Sequence, residues 1–136
     1  MPRMPTTTST TPDQRTPLSR ERILRAAIEL ADQEGIEAVT MRTLAARLGV
    51  EAMSLYHHIA NKQTLLDGVV DALVAEIGDE LGGFEFESNP DQWKTALRRR
   101  ILTARGVMLR HRWAPPLIET RTSMTPTLLR YMDSIL

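Results

Sequence analysis

The sequence predicts an all-α fold, on three observations. Apolar side chains recur at three- and four-residue intervals from Leu18 onward. Ser, Thr or Asn stands before most of these runs and Gly or Pro falls between them, which is the punctuation of helix starts and stops. No stretch alternates apolar and polar residues as a half-buried strand would, and nothing repeats. Composition narrows the class. With 136 residues, 42% hydrophobic and 17 basic against 17 acidic, the chain is sized for one modest domain with a real core. It has no cysteine, which excludes a disulfide scaffold, a thiolate zinc site and a Cys nucleophile. Three histidines (His57, His58 and His111) leave little for a metal cluster, so neither metal nor cofactor is expected. No apolar run approaches the roughly 18–20 residues of a membrane span and no signal-peptide core follows the N-terminus, so the expectation is a soluble cytoplasmic chain with no membrane partner.

Residues 1–17 hold four prolines, six threonines and one serine, with only Met1 and Met4 as apolar side chains. Such a segment cannot bury enough surface to offset its ordering entropy, and a disordered tail is expected. Its Arg3 and Arg15 belong either to an inert leader or to a phosphate-touching arm. Ser19 caps the first helix, with Leu18 and Ile23 as a hydrophobic staple. Ile23, Leu24, Ala27, Ile28, Leu30 and Ala31 form its apolar face until Gly35 stops it. Thr40 caps a second helix, Val39 and Leu44 repeat the staple, and Gly49 ends it after barely two turns. A third runs from about Glu51 to His57.

Asn61 caps the fourth helix, whose Leu65, Leu66, Val69, Val70, Leu73, Val74 and Ile77 make a wide stripe closed by Gly82-Gly83. Asn89 as cap, Pro90 at the first helical position and Gln92 at capping-box spacing open a fifth. Its buried face is read as Trp93, Leu97, Ile101, Ala104 and Met108, to about His111. Pro115-Pro116 breaks the chain before a short segment around Leu117. Thr125-Pro126 opens a last helix with Leu128, Leu129, Met132, Ile135 and Leu136. That helix stops on apolar residues without a Gly or a basic side chain. The favoured expectation is a chain cut short; the alternative is an end that frays.

Residues 40–59 have the spacing of a helix-turn-helix. Ala45 is small where a crossing helix comes close, and Gly49 supplies a positive-φ turn four residues on. Six further, Leu55 plugs the gap between the helices, with Leu44, Leu48 and Val50 filling the rest and no room for anything larger. Many helical proteins contain a helix–Gly–helix pattern, so an ordinary structural hairpin stays open on packing alone. The outer face of the second helix adds chemistry. Ala52, Met53, Ser54, Tyr56, His57 and His58 are poorly explained by packing, and their mix of small, hydroxyl, aromatic and imidazole groups suits a DNA major groove. Arg42 is placed to grip guanine bidentately, while Thr40 and Lys62 lie at helix N-termini that favour phosphate. Otherwise His57 and His58 are surface imidazoles with no task, and Tyr56 is a half-buried ring at the helix junction. Adjacent histidines diverge on a helix, which argues against a metal site.

Gly35-Ile36-Glu37-Ala38-Val39-Thr40-Met41-Arg42-Thr43-Leu44-Ala45, then Leu48-Gly49-Val50, Ser54-Leu55-Tyr56-His57-His58 and Asn61-Lys62-Gln63-Thr64-Leu65-Leu66, resemble the DNA-binding domain of the tetracycline-repressor (TetR) family. The resemblance covers Leu18 to about Ile77 and is specific, because several motifs agree in order and spacing. It implies a three-helix DNA-binding head over residues 18–77, joined by its long fourth helix to an α-helical effector and dimerisation domain. Residues 78–136 would be the start of that domain, truncated before its dimerisation helices. A bacterial homodimer on a palindromic double-stranded DNA operator, with repression relieved by a small molecule, is implied too. By position, Thr40, Tyr56 and Lys62 resemble phosphate contacts, and Arg42, Ala52, Met53, Ser54 and His57 resemble groove-facing residues.

Two histidines that face the drug and its magnesium ion in the tetracycline repressors have no counterpart here. Gly78 stands at the first position and Leu117 or Ile118 at the second, so tetracycline–magnesium is not the expected effector. Trp93, Met108, His111, Trp113 and Ile118, with Leu97, Ile101 and Leu117, surround where an effector pocket would form, and favour a lipophilic or aromatic ligand. The alternative is that Trp93, Leu97, Ile101 and Met108 are ordinary core. Two further classes compete with the DNA-binding regulator. A helical protein–protein interaction module is the runner-up. An enzyme fits least, since no carboxylate pair, Ser–His arrangement or Gly-rich phosphate loop has a useful spacing.

Overall fold

A computed structural model describes residues 17–83, 91–121 and 125–134. Among these residues the chain is all-helical, in seven α-helices and one 3-10 turn. They are α1 (Arg20–Glu34), the 3-10 turn (Ile36–Ala38), α2 (Met41–Leu48), α3 (Ala52–Tyr56), α4 (Lys62–Leu81), α5 (Trp93–Arg110), α6 (Ala114–Thr120) and α7 (Pro126–Asp133). No helix among them is long and apolar enough to cross a membrane. The tail expected over residues 1–17, except Pro17, lies outside the described residues, as do Asn89, Pro90, Ile135 and Leu136.

The local start signals are realised. Ser19 Oγ accepts from Arg22 N at 3.1 Å, Thr40 Oγ1 from Thr43 N at 3.0 Å, Asn61 Oδ1 from Thr64 N at 2.8 Å and Thr125 Oγ1 from Leu128 N at 3.1 Å. Ile23, Leu30, Val39, Leu44, Leu55, Ile59, Leu65 and Val69 form the centre of the head's core. Of α4, about 30 Å long, all seven predicted stripe residues are buried. It is the spine of the molecule, packing against α1 on one side and against α5, α6 and α7 on the other.

Gly49 takes φ 68° and ψ 32°, the left-handed region, and its N–H closes α2 onto Ala45 and Ala46. The expectation that nothing larger fits there is corrected: a Cβ at Gly49 would meet no atom within 4 Å. The glycine is required by backbone conformation, not by crowding. Gly49→Val is therefore expected to cost about 1–2 kcal/mol as strain, and Gly49→Asn markedly less, because Asn adopts this region more readily. Equal melting temperatures for the two variants would show that the turn relaxes out of it.

Three other expectations change. First, α5 starts at Trp93, with Gln92 at the N-cap position and no side-chain cap. Its first turn is exposed, so water can serve the free N–H groups and no capping box is needed. Second, the buried face of α5 is displaced. Trp93 is 50% and Ile101 58% exposed, whereas Arg100 and Val107 are buried. The packed face overlaps the apolar stripe in part: Leu97, Ala104 and Met108 are partly buried, while the centre of the face lies nearer Arg100 and Val107 than Ile101. Arg100 tolerates burial because its guanidinium donates to Ser134 Oγ. Third, Pro115 and Pro116 do not precede a helix but sit in the first turn of α6, where a missing N–H costs nothing.

Candidate nucleic-acid interface

α3 is five residues long and buries one of them, Leu55. Isolated, so short a helix is unstable; it exists because Leu55 is fixed in the core while Gly49 turns the chain toward it. The rest of α3 is left for other contacts. Met53 is 69% and Tyr56 45% exposed. His57 and His58 are exposed, and Ala52 and Ser54 are partly so. Thus Met53, Tyr56, His57 and His58 share the exposed surface of one short helix and its C-terminal turn, with Ser54 partly exposed and Ala52 partly packed on the core, while Arg42, also expected to face a groove, lies on α2.

Two helix N-termini flank α3 in the sequence. At α2, Thr43 Oγ1 accepts from Thr40 N at 2.9 Å and donates to Ala38 O at 2.8 Å. Thr43 N in turn donates to Thr40 Oγ1. With the Thr43 proton on Ala38, the Thr40 hydroxyl keeps its own proton for Thr43 Oγ1, 2.9 Å away, or for an outside acceptor. A phosphate oxygen is such an acceptor. Arg42 follows on α2, exposed. At α4, Lys62 is exposed in the first turn behind the Asn61 cap. Positive helix ends, one guanidinium and one ammonium on either side of a short exposed helix in the sequence are groups that can bind a polyanion.

Sequence reasoning missed three supports of this surface. Thr43 completes a reciprocal cap in which a threonine replaces the usual Glu or Gln, and the Thr-x-x-Thr spacing was the available signal. Ile59, 1% exposed, anchors the chain between α3 and α4. Arg47 ties α2 to α1, donating to Gln33 Oε1 at 3.1 Å and pairing with Glu29 at 3.7 Å. Nothing local announces that last pair.

The residues expected to line an effector pocket do not converge. Trp93 is on the outside of α5, with Lys94 Nζ 5.5 Å from its ring centroid. It borders a shallow 260 Å³ depression with Leu97 and Ile101, which none of Met108, His111, Trp113 or Ile118 reaches. Met108 is partly buried against the core, as the alternative reading had it, and so is Ile118, whereas Trp93 and Ile101, which that reading also put in the core, are exposed. His111 and Trp113 do meet, with ring centroids 5.7 Å apart, but both are bonded to Asp32 of α1. A larger open groove of about 1030 Å³ runs between the C-terminal half of α4 and α7, lined by Ala75, Gly78, Asp79, Thr127 and Arg130 among others.

Comparisons with known proteins agree with this geometry. The sequence profile of "Bacterial regulatory proteins, tetR family" matches residues 23–69. The chain is 36% identical over 112 residues to an HTH-type transcriptional regulator of Saccharopolyspora erythraea, spanning 82% of this chain and 45% of the relative. It is 35% identical over 95 residues to the class D tetracycline repressor of Escherichia coli, spanning 70% of this chain and 42% of that protein. The crystal structure of apo ActR from Streptomyces coelicolor superposes with a TM-score of 0.75 at 30% identity, over 88% of this chain and 54% of ActR. The chain spans about half the length of the relatives it matches. It belongs to the TetR family of bacterial transcriptional regulators.

Proposed function

We propose that the chain is a DNA-binding transcriptional repressor of the cytoplasm that reads a palindromic operator as a homodimer and is released by a small molecule. One observation carries the DNA-binding part. α3 buries Leu55 alone and leaves Met53, Tyr56, His57 and His58 exposed at the helix and its C-terminal turn, with Ser54 partly exposed and Ala52 partly packed on the core. In this reading α3 enters the major groove, Arg42 grips a base edge, and Thr40, Tyr56 and Lys62 hold phosphates. Its role is binding and not catalysis, in keeping with relatives that are named as regulators.

The effector part rests on the groove between α4 and α7. Gly78, where the tetracycline repressors would bring a drug-facing histidine, lies on that groove and contributes no side chain. That favours an organic effector held without a metal. ActR has been crystallised with (S)-DNPA and with actinorhodin, and an aromatic or lipophilic effector is proposed here by analogy.

Duplexes selected from a random pool test the DNA assignment. Arg42→Ala is expected to relax preference at one base position and cost about 1–3 kcal/mol. Lys62→Ala is expected to weaken all duplexes alike and shrink the salt slope by about one unit. Sequence preference that moves with Lys62 and not with Arg42 would invert the two roles. Failure of the wild type to enrich any duplex would leave the protein–protein module in its place.

A further inference from the structure

The corner between α5 and α6 carries charge chemistry that DNA reading does not use. His111 ends α5 and is 8% exposed. Its Nδ1 lies 2.7 Å from Asp32 Oδ1 on α1, and its Nε2 lies 3.2 Å from Glu76 Oε2 on α4. Both carboxylates are shared. The Trp113 indole N–H donates to Asp32 Oδ1 at 2.7 Å. Arg110 donates to Glu76 Oε1 at 2.8 Å and also to Glu80, and these two partners, the Glu76 bond first, hold its guanidinium even more firmly protonated. A continuous run of bonds therefore passes from α1 of the head, through the corner, to α4.

The imidazole is the rigid member of that run. A carboxylate oxygen only accepts, and a neutral imidazole has one N–H and one lone pair. Set between two carboxylates, the neutral ring bonds one and turns a lone pair on the other, whereas the imidazolium donates to both. Asp32 from α1, Glu76 and Glu80 from α4 and Arg110 from α5 are the charged groups around it. Asp32 has the shorter contact and a second donor in Trp113, so the bond to Glu76 is the one a neutral ring gives up. Arg110 then remains on Glu76, but as a long arm whose side chain is 49% exposed, not a short planar spacer.

We propose that Asp32–His111–Glu76 is a proton-operated clamp at the corner between α5 and α6, bridging the end of α1 to α4 when the ring carries both protons and letting go of Glu76, so that the two helix ends are held less tightly, when it carries one. The clamp stands on its own geometry. Given the DNA-binding function proposed above, it would also make operator affinity depend on pH.

Distance measurement tests the clamp without DNA. The chain has no cysteine, so Glu34→Cys on α1 and Asp79→Cys on α4, both exposed positions, take nitroxide labels at those two sites alone. Pulsed electron paramagnetic resonance at about pH 5.5 should give one narrow distance distribution, and at about pH 8 a broader one displaced by a few ångström. His111→Gln should remove the pH dependence. Glu76→Gln should keep the narrow distribution at both pH values, because its amide can accept from a ring N–H or donate to a ring lone pair. Identical wild-type distributions at the two pH values overturn the proposal, and this arm decides even if a variant fails to fold. So does a pH dependence that survives His111→Gln, which would belong to His57 or His58, or one that survives Glu76→Gln.

Discussion

Leu55→Ala should lower the stability of the head by about 2–5 kcal/mol, the range for emptying a fully buried leucine site. Leu55 is 0% exposed and is the one buried residue of α3. Its carbonyl also receives the N–H groups of His58 and Ile59, each at 2.9 Å, so chain direction after α3 is tied to the same residue. Met53→Ala, two positions away and 69% exposed at the start, should stay within about 0.5 kcal/mol of wild type. Duplex binding should separate the two differently: Met53→Ala alters preference in a stable protein, while Leu55→Ala weakens binding although no groove-facing group is removed. Thermal melts with matched duplex titrations read both. Comparable melting for Leu55→Ala and Met53→Ala would mean that α3 is not anchored through its leucine.

Gly68→Val should be the second costly change, about 1–3 kcal/mol as overpacking. Gly68 is buried on α4 where α1 crosses it. A Cβ there would lie 2.8 Å from Leu24 Cδ2 and 2.9 Å from Arg20 Nη2. Both atoms are the ends of side chains, so one added methyl can be accommodated by their retreat. Gly68→Ala also gains about 0.8–1.0 kcal/mol of helix propensity, which offsets the crowding. Alanine is thus expected near wild type and valine well below it, since valine adds two more carbons beyond a Cβ that already crowds Leu24, itself only 5% exposed. Denaturant unfolding of the pair measures this, and a stable Gly68→Val would show that α1 and α4 can separate without penalty.

What could be read from the sequence divides by range. Ser19, Thr40, Asn61 and Thr125 were legible because a cap is written within three residues of the N–H it serves. The α4 stripe was legible because its seven apolar residues recur at three- and four-residue spacing and all of them pack inward. The outer face of α3 was legible by elimination, once Leu55 had been given to the core. The orientation of α5 was not. A helix turns toward what it packs on, and buried Arg100 donates to Ser134, 34 residues later. The assignment of His111 to a pocket failed to register Asp32 for the same reason: 79 residues separate them, and no periodicity relates one to the other.

The division of labour within α3 has an evolutionary consequence. One residue secures the helix, and its neighbours Met53, Tyr56, His57 and His58 are exposed, so substitutions there have little effect on folding and, in the DNA-reading role proposed for them, change what is inspected. Ala52 is closer to the core and is more constrained. A descendant of this chain can therefore drift to a new binding sequence by single steps, each leaving a folded protein behind it. Thr40 and Lys62, on neighbouring helices, would go on supplying the unselective part of the grip while the selective part is rewritten. New regulatory targets become accessible without a compensating change in the core.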